Sequence, residues 1–429
     1  MSFFIDINDS QSKVTLMVGR RPSFEDGVRC RVLRCLHSNG GAVLGGGSMM
    51  RIFAVLAAGL AGVLFFAFMI TDSTQAVQRG HRGTGMALMY KPAALEALKP
   101  LNAIPEAEDP ADPPIIGQPT ITERYKNIQV LKDLSVNELS RVMAGFVAWV
   151  APEEGCVYCH NTQNMASDEK YTKVVARRML QMTRTINNEW TQHVGSTGVT
   201  CWTCHRGQHV PSGDWFSAAP QKARMLGNRD GQDTAGVATN GNTSLPYDPL
   251  TTYLTTPDAN VRVQGTRPLA GSNPTSVKKA EHTYALMIYM AKSLGVNCDY
   301  CHNTRALARW EQSSPQRVTA WYGLRMVRSL NINYLVPLKP LFPEYRLSPE
   351  GDGPKVACAT CHKGTYKPLY GVSMKADWPE FWRRGGVDTS NEVRTLPVNH
   401  PRPDPQLAKA GLPDWETGYA PEPIPAEED

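Results

Sequence analysis

The sequence predicts a mainly α-helical, irregular protein, built as two pseudo-symmetric halves behind an N-terminal transmembrane helix. Three observations carry this expectation. Cys-x-x-Cys-His is written four times: GCVYCHN at 155–161, TCWTCHRG at 200–207, NCDYCHN at 297–303 and ACATCHKG at 357–364. Each half writes it once as CHN and once as CH-basic-Gly, which marks an internal repeat. Ahead of both halves runs a stretch of 19 uncharged, mostly apolar residues, Ile52–Ile70.

Cys-x-x-Cys-His is the attachment signature of c-type haem. Two thiols add across the two vinyl groups of one porphyrin, and the adjacent His reaches the iron as axial ligand. The thiols are Cys156 and Cys159, Cys201 and Cys204, Cys298 and Cys301, and Cys358 and Cys361; the histidines are His160, His205, His302 and His362. A zinc site or a dithiol pair does not explain a His after every pair. The expected fold class is therefore an irregular multihaem cytochrome c of two dihaem halves, with four covalently bound haem c. Porphyrins supply part of such a core, which fits a chain of 429 residues with 32 Pro, 35 Gly and 8% aromatics. The formal charge of +5 is no sign of a nucleic-acid partner, because the propionates of each haem add about −2 at neutral pH.

Along the chain, residues 1–50 read as a cytoplasmic leader, with Met49 and Met50 offering a second start; Cys30 and Cys35 in it read as reduced thiols. Residues 51–71 read as a transmembrane anchor. Arg51 before it, with Arg29, Arg31 and Arg34 upstream, puts the N-terminus inside and the haem region outside. A cleaved signal peptide ending near STQA (73–76) is the alternative. Residues 72–120 read as an extended surface segment. Residues 121–215 hold haems 1 and 2, 216–275 form a Gly/Asn/Thr/Pro-rich connector, and 276–370 hold haems 3 and 4. Residues 371–429 read as an extended tail; 401–429 carry two basic and seven acidic side chains and little to build a core from.

Helix-like stretches stand before all four motifs. Aligned, they put Met143, Met179 and Met287 in one column, 13, 22 and 11 residues ahead of the first Cys of their motifs. Methionine is a frequent sixth haem ligand that raises the potential relative to His. Met182, Met290 and Met326 form a neighbouring column, assigned to packing. The fourth stretch has Gly323 in the ligand column. His193 breaks the repeat between Met179 and Cys201, so it is expected to cross to the fourth iron and give two imidazole ligands; Met326 is the alternative. Three higher potentials and one lower one follow. Five residues past the ligand column stand Arg184, Lys292 and Arg328, candidates for propionate pairing or for solvated helix positions.

Several strings, among them WVAPEEGCVYCHN, KYTKVVARRMLQMTRTINNEWTQHVGSTGVTCWTCHRG, SPQRVTAWYGLRMVRSLNINYLVPL and CATCHKGTYKPLYG, make residues 78–375 resemble the tetrahaem cytochrome subunit of purple-type photosynthetic reaction centres. The resemblance implies the same ligand set. It also implies docking on the periplasmic face of the L and M subunits and re-reduction of the photo-oxidised bacteriochlorophyll special pair. The donor would be a soluble periplasmic cytochrome c or a high-potential iron–sulfur protein. Many members carry a lipid-modified Cys after the signal peptide. This chain has none between 36 and 155, so a protein anchor in the inner, photosynthetic membrane is expected instead. The tail is a candidate contact for antenna polypeptides. A sixth ligand is assignable to every iron, so the expectation is an electron carrier and not an enzyme. A multihaem cytochrome feeding a respiratory enzyme would share this chemistry and differ in partner.

Overall fold

The computed structural model describes residues 46–71, 74–78, 87–106, 109–217, 236, 238–239, 241–257, 259–263 and 276–384. The expected leader before residue 46 and the acidic tail after 384 lie outside the described residues. The chain forms two compact units, Met1–Ala67 and Phe68–Asp429. In the first, the described residues belong to α1 (Gly46–Thr71). Side chains of α1 are described over 51–67 only, and among the described residues no helix is long and apolar enough to cross a membrane.

The second unit is helical, as expected, with one two-stranded antiparallel hairpin among the described residues, β1 (Gln75–Gln78) on β2 (Ala87–Tyr90). After α2 (Pro92–Leu98) and α3 (Ile121–Arg124) come α4 (Val136–Val150), α5 (Tyr171–Glu189), α6 (Thr191–Val194) and α7 (Cys201–His205). Then follow α8 (Pro249–Leu254), α9 (Val277–Leu294), α10 (Pro315–Leu330) and α11 (Cys358–His362). The helices start where the sequence supplies a cap. Ser135 and Glu138 form a reciprocal capping box on α4, at 3.2 and 2.7 Å. Ser276 accepts from Lys279 N–H at α9 (3.1 Å), and Pro315 stands in the first turn of α10. α9 ends on Gly295 at φ 62°, a left-handed cap that Gly adopts without strain.

Two apolar cores fill the unit. One gathers Val142 and Trp149 of α4 with Leu180, Leu369, Trp378 and Phe381. The other gathers Met182 and Ile186 with Tyr253, Leu254, Leu286, Leu330 and Tyr334. α5 belongs to both, because positions 180 and 182 point about 200° apart on a helix.

Three expected boundaries change. The segment 72–120 is not extended throughout: it folds into the hairpin and α2, which Pro92 starts and the Ala/Leu-rich PAALEAL propagates. The connector 216–275 is not a mere link, since its Tyr253 and Leu254 are among the most buried side chains. The tail does not begin at 371, because Met374, Trp378 and Phe381 close the core over α4. The two cores therefore do not divide at the sequence midpoint.

Candidate functional site

The four motifs take two local forms, and the residue after His explains which. In the second and fourth, the five residues CWTCH and CATCH are α7 and α11 themselves. The Thr of each accepts from the backbone N–H just ahead of the motif: Thr200 N–H to Thr203 Oγ1 at 3.0 Å, Ala357 N–H to Thr360 Oγ1 at 2.9 Å. The helix stops at His because Arg206 (φ 52°) and Lys363 (φ 47°) turn left-handed, followed by Gly207 and Gly364 at φ 81°. That turn brings a carbonyl three residues on to the imidazole: His205 Nδ1 to Gln208 O at 2.8 Å, His362 Nδ1 to Thr365 O at 2.9 Å.

In the first and third motifs the thiol segment is a 3-10 turn, Gly155–Tyr158 and Cys298–Tyr300. Asn161 and Asn303 then cap their own loops, accepting from Gln163 N–H (2.9 Å) and Arg305 N–H (3.0 Å). Here the carbonyl comes from five residues on: His160 Nδ1 to Met165 O and His302 Nδ1 to Leu307 O, both 3.1 Å. A carbonyl only accepts, so in all four histidines Nδ1 carries the proton and Nε2 keeps its lone pair. That is the tautomer and the outer hydrogen bond of a metal-ligating imidazole. Burial, with His193 nearby, holds the His362 imidazole down to about 4, neutral as a ligand must be.

The thiols are free, as attachment requires. Cys156 and Cys298 are exposed, and the other six are half-buried. Burial pushes Cys201 and Cys358 up to about 12. The Cys204 and Cys361 thiols are hydrogen-bonded to each other, and that bond with burial keeps Cys204 protonated. The second and fourth sites thus meet thiol to thiol, where α7 packs on α11.

His193 sits on α6, which packs against α10. Its imidazole occupies the space over Gly323: a Cβ there would come within 3.0 Å of three ring atoms. Its Nδ1 donates to Thr319 O at 2.8 Å, which frees Nε2 as in the other four. The rings of His193 and His362 lie with centroids 6.0 Å apart and their planes inclined at 62°. Two metal–nitrogen bonds of about 2 Å each, plus roughly 1 Å from each ring centre to its nitrogen, need about 6 Å. The residues present fit an iron held between two imidazoles.

Met143, Met179 and Met287 lie half-buried on α4, α5 and α9, each beside an apolar core. Met182 and Met326, by contrast, are buried in the core, and Met290 packs on it. Met326 packs in the apolar core, while the His193 ring centre lies 6.0 Å from that of His362.

Of the three candidates for propionate pairing or for solvated positions, the two arginines are buried against protein groups and the lysine is exposed. Arg184 is fully buried, donating to both Asp133 carboxylate oxygens at 3.0 Å and to Val130 O and Glu380 O at 3.1 Å. Arg328 donates to Tyr253 O (2.9 Å) and Ala259 O (2.6 Å). Lys292 is exposed.

Two residues that the motif search misses position the sites. Asn187 donates to Val199 O (2.9 Å) and Phe381 O (3.0 Å), and accepts from Val199 N–H (2.7 Å). Asn331 donates to Leu254 O (3.1 Å) and Val356 O (2.9 Å), and accepts from Val356 N–H (2.9 Å). Each clamps the backbone two residues before a motif's first Cys. The signal was present: both stand eight residues past the ligand column, at the end of the aligned strings.

Thiol pairs and Nδ1-anchored imidazoles in this arrangement define a c-type cytochrome. Comparison with known proteins narrows the class. A sequence model of the family described as photosynthetic reaction centre cytochrome C subunit matches residues 71–382. The chain is 51% identical over 307 residues to the photosynthetic reaction center cytochrome c subunit of Rubrivivax gelatinosus, covering 71% of this chain and 82% of the relative. It is 45% identical over 315 residues to that of Thermochromatium tepidum, with 71% and 74% covered. It is 43% identical over 319 residues to that of Roseobacter denitrificans, with 72% and 85% covered. The chain belongs to this family: it is a cytochrome subunit of a photosynthetic reaction centre, an electron carrier with covalently bound haem c, associated with the photosynthetic membrane.

Proposed function

We propose that the chain carries four haems c, one on each Cys-x-x-Cys-His. It would pass single electrons from a soluble periplasmic donor, a small cytochrome c or a high-potential iron–sulfur protein, to the photo-oxidised special pair held by the L and M subunits. The observation that carries this reading is the His193–His362 pair at 6.0 Å over Gly323. Haem iron cycling between ferrous and ferric supplies the one-electron chemistry. The chain's residues set where and how readily it occurs. His160, His205, His302 and His362 would hold the irons through Nε2, kept in place by their Nδ1 bonds. Met143, Met179 and Met287 would complete the first three sites, and their thioethers would favour the ferrous state. His193 would complete the fourth, and its imidazole would lower that site's intrinsic potential.

The first two sites belong to 121–215 and the last two to 276–370, joined by the shared wall of α5. The anchor would be the run Ile52–Ile70, 19 uncharged and mostly apolar residues, about the length a bilayer span needs; it overlaps α1, whose side chains are described only over 51–67. Ile52, Phe53 and Phe66 on it leave more than half of their surface exposed, as a lipid-facing helix does. The haem region then lies in the periplasm.

Flash-induced absorbance on isolated membranes tests the role, following the haem α-band and the special-pair bleach together. Haem oxidation that matches special-pair recovery is expected. Haems that stay reduced after the flash would send the electrons to another acceptor. Haem-to-protein stoichiometry by pyridine haemochrome, expected at four, tests the count.

A further inference from the structure

The second and fourth sites differ from the others in the charge they carry, not only in their turn. Arg206 and Lys363 occupy left-handed backbone, φ 52° and 47°, where Gly or Asn is least strained. Asn does follow His in the other two motifs, where its side chain caps a loop and the left-handed turn is absent. So the two positions where Asn would relieve strain hold cations.

Both cations lie at the thiol-to-thiol junction. Arg206 is the left-handed cap of α7 and Lys363 that of α11, one residue past the His of each motif. Arg206 donates to Thr203 O at 3.2 Å and Leu101 O at 2.8 Å, while its Nη2 is buried without a hydrogen-bond partner. Lys363 Nζ donates only to Ser212, at 2.9 and 2.8 Å. Asp214 is the acid that Lys363 feels, and burial raises its pKa. Among the described residues neither cation has a carboxylate within ion-pair distance. Two half-buried positive charges thus follow directly on His205 and His362, at the ends of two helices that pack on each other.

We propose that Arg206 and Lys363 form a shared fixed charge pair that raises the reduction potentials of the second and fourth haems together. This rests on the haem and ligand assignment above. Reduction of ferric to ferrous iron takes one electron from the donor and removes one positive charge, so a fixed cation nearby favours the reduced state. Partial burial keeps solvent from screening it. At the fourth haem the pair offsets the lowering brought by two imidazoles, so an electron passing between the two neighbouring haems meets a smaller step.

The test is optical redox titration of the full-length holoprotein carrying Arg206→Gln, Lys363→Gln, Arg206→Lys or Lys363→Arg. Each Gln variant is expected to shift the reduction equilibrium of both haems about tenfold toward ferric, about 59 mV for one electron. The first and third haems should stay within a small fraction of that. The charge-keeping variants should titrate like the parent. Unchanged midpoints in the Gln variants overturn the proposal, and so does an equal shift in Arg206→Lys, which would show a structural role. Lys363→Gln keeps the test decisive if Arg206 variants fold poorly, because its amine binds only Ser212. A parent protein lacking a low-spin bis-imidazole haem would instead sink the ligand assignment, and electron paramagnetic resonance of the same samples reads that separately.

Discussion

At the scale of single residues, the fourth site depends on a side chain that Gly323 lacks. Gly323→Ala drives a Cβ into the His193 ring. The expected outcome is loss of one bis-imidazole low-spin signal in electron paramagnetic resonance, with the three His/Met haems unchanged; an unaltered spectrum would remove His193 from the iron. The motif residues were legible because covalent attachment fixes their spacing whatever the fold. His193 was legible as a break in a repeat. Asn187 and Asn331 were not, because an Asn at a helix end reads as an ordinary cap until its partners are known. Arg184 and Arg328 could not be placed from the sequence, which left propionates and solvent equally open. In the structure both donate to backbone carbonyls brought by segments far away in sequence.

At the scale of elements, the helix-like stretches ahead of the four motifs fall in α4, α5, α9 and α10, and the segments between them were not legible. Helix α8 lies in a stretch rich in Thr, Gly and Pro, and only packing reveals that Tyr253 and Leu254 fill a core. Asn331 ties α8, α10 and the start of the fourth motif. Asn331→Ala would strand Val356 N–H and two carbonyls, costing on the order of 3 kcal/mol. The expected result is a lower midpoint for heat-induced loss of the fourth haem's Soret circular dichroism than in the parent. The loop after His160 is held differently. Burial alone would raise the Asp168 pKa, but hydrogen bonds from Arg177, Asn127 and Lys173 outweigh it and hold the carboxylate well below its usual range. Lys173 also donates to Met165 O and Ser167 O, at 3.0 and 2.7 Å. A depressed carboxylate stabilises the fold above its unfolded pKa of about 3.9, and that contribution fades as the pH falls. In an acid titration the first haem's absorbance should therefore change earlier in Asp168→Asn than in the parent.

At the scale of the whole molecule, composition pointed to a core supplied partly by porphyrin, and the described chain is irregular between its helices. The inner part of the expected tail, 371–384, carries five charged side chains, yet its Trp378 and Phe381 pack in a core. Anchoring has its own test. A chain starting at residue 72 behind a cleavable signal sequence, expressed without the L and M subunits, should be recovered in the soluble periplasmic fraction; the full chain should sediment with membranes. The position of His193 has one more consequence. In the proposed ligation the later copy of a duplicated unit borrows a ligand from the earlier one, so the two copies cannot part. A gene fragment encoding only the later copy would yield a fourth iron lacking one of its axial bonds, open to carbon monoxide. During export the lender also emerges first, so the borrowed imidazole is already outside when the fourth attachment segment arrives.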